Sequence, residues 1–184
     1  MPPVATAAIL LGAGLLAQSD PSSVNVACNN AFSPTRPPLS TALPAGVGVF
    51  DRCIEIDGWG DSARFVADGG GGGLGSVVLD AFSVTLQDEV PEVMLLRQWQ
   101  LSGQVIVAPI FLWQVRLETP AGAVGGVELA EVVVQSVTTS ITVDGYATRI
   151  LLQPRGAIWR AWRANAPGPG GAPSIEFNRN FANP

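Results

Sequence analysis

A strict two-residue alternation restricts this chain more than anything else in it. It is cleanest in FLWQVRLE, where Phe111, Trp113, Val115 and Leu117 fall on one side and Gln114, Arg116 and Glu118 on the other. Successive side chains leave an extended backbone in opposite directions, so a period of two describes a strand with one face buried and one in water. LDAFSVTL repeats the pattern with Phe82, Val84 and Leu86, and VMLLRQWQL with Val93, Leu95, Trp99 and Leu101. VGVFDRCIEID changes parity near Asp51, from Val47, Val49 and Cys53 to Phe50, Ile54 and Ile56, which marks a bulge or a twist. VELAEVVVQSV, TSITVDG and TRILLQ supply further strand candidates. Turn signals stand at Pro91, Gly103, Pro109, Pro120, Gly125–Gly126 and Asp144–Gly145. Roughly seven to nine short strands so spaced predict an all-β fold, an antiparallel β-sandwich of jelly-roll type. A helical reading is left open only for residues 157–164.

The flanking segments set the domain organisation. Of 184 residues, residues 47–165 hold this pattern and form the predicted sandwich domain. Residues 1–46 read as an apolar arm followed by a Pro/Ser-rich connector, and residues 166–184 as a Gly/Pro-rich tail. The run from Val4 to Ala17 is uncharged, and the first basic side chain is Arg36, so a signal peptide's basic start is missing. At 14 apolar residues it is also shorter than the ~20 that span a bilayer. The expectation is an arm that packs on protein through Ile9, Leu10, Leu11, Leu15 and Leu16. Membrane contact through residues 4–17 stays open.

Composition removes most catalysis. The chain contains no His, and its ten cations are all Arg. No Ser-His-Asp or Cys-His nucleophile system can be built, nor a Schiff base or P-loop on lysine. GGGGGLG at residues 69–75 lacks the G-K-[ST] ending of a phosphate loop. Glu55, Asp57 and Asp61 in EIDGWGDSARF supply too few oxygens, in the wrong order, for a calcium loop. Two cysteines, Cys28 and Cys53, permit one bridge after export and equally permit two free thiols. The expectation is therefore a protein without enzymatic activity, cofactor or metal.

What remains points to association. Charged residues make up 14% of the chain and hydrophobic ones 47%, so little polar material is left to cover a free surface. Nine acids lie in residues 51–92, while Arg149, Arg155, Arg160, Arg163 and Arg179 crowd the C-terminal part. RGAIWRAWRAN sets Arg155, Arg160 and Arg163 around Trp159 and Trp162, a pairing suited to subunit interfaces. With Phe177 and Phe181 of the tail, these are the expected interface residues. A net charge of −5 leaves nucleic-acid contact open but not favoured.

A β-sandwich with an apolar arm, a Pro/Gly tail and no catalytic apparatus resembles, in general layout, the structural proteins of bacteriophage virions: small jelly-roll capsid, vertex or cement subunits. The resemblance implies a virion location, with arm and tail reaching copies of the same chain and other structural proteins of the assembly. The alternative expectation is an exported or envelope-associated β-sandwich binding module.

Overall fold

The computed structural model describes residues 23–33, 52–66, 76–86, 90–116, 122–143, 145–161 and 175–180. The apolar arm with Ile9, Leu10, Leu11, Leu15 and Leu16, the five-glycine loop, Trp162, Arg163 and Phe181 lie outside them.

In chain order the elements are β1 (Ser23–Cys28), β2 (Cys53–Ile56), β3 (Gly58–Val66), β4 (Ser76–Leu86), α1 (Pro91–Ser102), β5 (Val105–Ile106), β6 (Ile110–Arg116), β7 (Gly122–Ala130), β8 (Val132–Thr142), β9 (Gly145–Gln153), β10 (Gly156–Ala161) and β11 (Ile175–Asn180). They form two antiparallel sheets, a sandwich of the predicted class. The first has the order β11-β10-β7-β6-β1-β2 and the second β3-β4-β9-β8-β5.

The chain bends from one sheet into the other. β2 passes to β3 through Asp57 alone, β7 passes to β8 through Glu131, and β9 returns to β10 through Pro154 and Arg155. Because β7 pairs with β10 and β8 with β9, residues 122–161 form one long hairpin folded across both sheets. Glu131 turns the corner at a φ of 49°, and Arg155 N–H donates to the carbonyls of Ala130 and Glu131. The chain thus joins the two sheets at both sides, β2 running into β3 and β7 into β8, with no ladder pair between the sheets among the described residues. Strands that change sheets at bends are how such corners are made.

The core lies between the sheets. Leu112, Val127, Leu129 and Phe82 are fully buried, with Ile150 and Leu152 almost so. Each such side chain contributes about 1.5–3 kcal/mol by leaving water. The other face of β1 and β6 is covered too, since Val26, Trp113 and Val115 are also buried.

Three readings of the sequence change here. VMLLRQWQL is helical, not a strand: Val93, Leu96 and Trp99 face the core while Met94 and Leu101 are exposed. Pro91 stands in the first turn and Gly103 ends the helix in the left-handed conformation at φ 62°, the usual pairing of start and stop. Residues 157–161, by contrast, belong to strand β10. Within the presumed connector, SVNVAC is an interior strand, and six residues of the tail form β11.

Candidate assembly surface

Strand β10 carries the Trp/Arg cluster and alternates it between faces. The backbone register sets Trp113, Gly126, Arg160 and Glu176 in one row across the sheet, and Leu112, Val127, Trp159 and Phe177 in the next. Adjacent rows face opposite sides. Trp159 therefore points between the sheets, 5.9 Å from the Phe82 ring and 5.5 Å from the Phe177 ring. Its indole Nε1 donates to Asp61 Oδ2 at 3.2 Å. Phe177, on the last strand, remains 54% exposed.

Arg160 points outward between two carboxylates. Nη1 lies 2.6 Å from Glu128 Oε2, and Nε 2.8 Å from Glu176 Oε2. Partial burial disfavours its charge, but the bonds to both glutamates outweigh that and raise its pKa above the ordinary value. Arg155 pairs with Glu131 at 3.0 Å across the corner, and Arg149 Nε donates to Ser83 Oγ. These arginines thus serve the subunit's own ladder. Of the residues expected at an interface, the structure unites Trp159, Arg160 and Phe177 on one sheet edge and places Arg155 at the corner.

The ladder edge at β11 is not legible in the sequence; β8 is covered in part by α1, whose Arg97 Nη2 donates to Thr139 Oγ1. Among the described residues no strand pairs with the outer side of β11, and β5 covers β8 only at Val132 and Val133. The β8–β9 hairpin also runs past β4, whose last pair is Leu86 with Thr148. Its tip exposes Ile141, Val143 and Tyr146. The signal was present in TSITVDG, where an apolar alternation continues up to the turn.

Near the β1 end, Cys28 and Cys53 are directly opposed in the β1–β2 ladder and joined as a disulfide. The following turn is tied down by Asn29, which donates from Nδ2 to the carbonyls of Ala108 and Pro109. Ala31 N–H donates back to Asn29 Oδ1. Phe32 then stacks on Trp99 of α1 at 6.5 Å.

No protein-family model matches the chain, and no curated protein matches it. Solved structures do. Hcp1 from Salmonella typhimurium aligns over 88% of this chain and 96% of its own, with a TM-score of 0.63 and 12% identity. Secreted protein Hcp3 from Pseudomonas aeruginosa aligns over 86% and 98%, at 0.54 and 9%. A type VI secretion system effector from Yersinia pestis aligns over 85% and 98%, at 0.59 and 9%. At these identities the likeness establishes the fold.

Proposed function

We propose that this chain is a non-enzymatic structural subunit that assembles with copies of itself in an export apparatus of the type VI secretion kind. The fold it shares with Hcp proteins, one of them described as secreted, supports this over the virion expectation. The observation that carries self-assembly is the outer side of β11, which pairs with no strand among the described residues, together with the exposed apolar tip of the β8–β9 hairpin at Ile141, Val143 and Tyr146. Unpaired backbone donors and acceptors are a template for another strand. Two different surfaces that meet between copies make a head-to-tail contact, which closes into rings or extends into filaments.

Sedimentation and electron microscopy of the purified chain test this, and regular rings or tubes are the expected result. Proline at Phe177 and at Asn178, in separate variants, sharpens the test. Backbone donors alternate in direction along an edge strand, so one of the two variants removes only an outward donor. That variant is expected to keep the monomer's fold and lose the particles. A wild-type chain that stays monomeric at high concentration overturns the reading.

A further inference from the structure

The disulfide occupies an unusual position. Cys28 is fully buried and Cys53 is 5% exposed. The bond joins β1 to β2, the four-residue strand from which the chain crosses into the second sheet. Three connections close over this corner. Asn29 N–H donates to the carbonyl of Arg52, the Arg52 guanidinium donates to the carbonyl of Phe32, and Ser33 N–H donates to Glu92 of α1. Asn29 and Phe32 are 1% and 2% exposed. Thiol–disulfide exchange requires a thiolate to reach a sulfur in line with the bond it breaks, and the burial of both cysteines opposes that approach in the folded chain.

We propose that Cys28 and Cys53 form a sealed redox lock, set during folding and inaccessible to exchange afterwards. Closing it is a two-electron oxidation. One cysteine thiolate attacks a disulfide oxidant, either a protein or a small molecule, and expels one thiolate. The second cysteine then attacks the mixed disulfide, forms the Cys28–Cys53 bond and expels the other, so that two cysteine thiols are oxidised as one external disulfide is reduced. The β1–β2 register opposes the two residues within a ladder of four backbone pairs, so the fold is expected to close over a dithiol as well as over a bridge. A chain that folds in a reducing cytoplasm is sealed as the dithiol. One that folds where an oxidant is present is sealed as the bridge, and the sulfur state records where folding took place. The proposal rests on the exported part of the reading above only for the compartment in which that oxidant is met.

The test uses the purified full chain, with thiols counted by alkylation and mass measurement. Protein folded with oxidised glutathione is expected to carry the bridge. Dithiothreitol should then reduce it about 100-fold more slowly in buffer than in urea, since reduction must wait for the corner to open. Protein folded under dithiothreitol, then transferred to oxidised glutathione, should close the bridge with the same lag. Equal rates in buffer and urea, in either direction, overturn the seal. The double variant Cys28→Ser with Cys53→Ser is expected to fold, and its failure to do so overturns the claim that the register stands without the bond. Particle formation is followed separately by sedimentation. A sealed bridge in a chain that never assembles would end the assembly reading and leave the lock intact.

Discussion

At Gly126 a single missing atom decides how two strands meet. A Cβ built there would stand 2.2 Å from the Leu112 carbonyl oxygen and 2.7 Å from Cε3 of Trp113, so the indole lies against the bare backbone of β7. Both neighbours are buried and neither is the free end of a flexible chain. Gly126→Ala is therefore expected to destabilise the fold by about 3 kcal/mol or more, measured by urea unfolding. An unchanged midpoint would mean that Trp113 packs elsewhere. In the sequence, the Gly125–Gly126 pair reads as a turn. The pair lies inside a strand, where glycine also signals close approach, and only the register with Trp113 separates the two meanings. The Trp159 and Arg160 pair was legible as a cluster, but its division between core and surface depended on β10 being a strand.

Among the elements, the corners set the architecture. Glu131 holds a φ of 49° between β7 and β8, a conformation glycine adopts without steric cost. Its ion pair with Arg155 is exposed on both sides and so contributes little. Glu131→Gly is expected to be neutral or to stabilise by up to about 1 kcal/mol, whereas Glu131→Val should cost about 1–2 kcal/mol. Thermal melts of the two variants check this, and the reverse order would show that the left-handed backbone at residue 131 does not govern the corner. Nothing in VELAEVVVQSV announces the bend, which is why it reads as one strand. α1 escaped recognition for a different reason. Val93, Leu95, Trp99 and Leu101 mimic a period of two, while the true buried set, Val93, Leu96 and Trp99, has helical spacing. Pro91 and Gly103 carried the helix signal, and both were read as turns. β1 was hidden because its alternation, Ser23-Val24-Asn25-Val26, is short and lies in a stretch rich in Pro, Ser and Asn that reads as connector.

The molecule as a whole is two sheets joined by chain at both sides over one core, and this has a measurable consequence. Neither sheet can open without exposing core residues that the other buries. Amide exchange in β1, β6 and β7 is expected to share one opening free energy and one urea dependence with exchange in β4 and β9. Two separate values would show that the sheets open independently and that the corners are hinges. The all-β class could be read from alternation and turn spacing. The division of the strands between two sheets could not, because it depends on pairings between segments far apart in the chain.

β1 and β11 differ in how they would yield to force. β1 is gripped on both sides, by β6 and β2, and is bolted at one end by a covalent bond. Among the described residues β11 is paired on one side, by six pairs to β10. A pull at right angles to β11 parts those pairs one after another, like a zipper, whereas drawing β1 along its length must shear two ladders at once. Such a subunit has a fixed anchor and a detachable clasp, and the clasp is the strand it can lend to a neighbour at least mechanical cost.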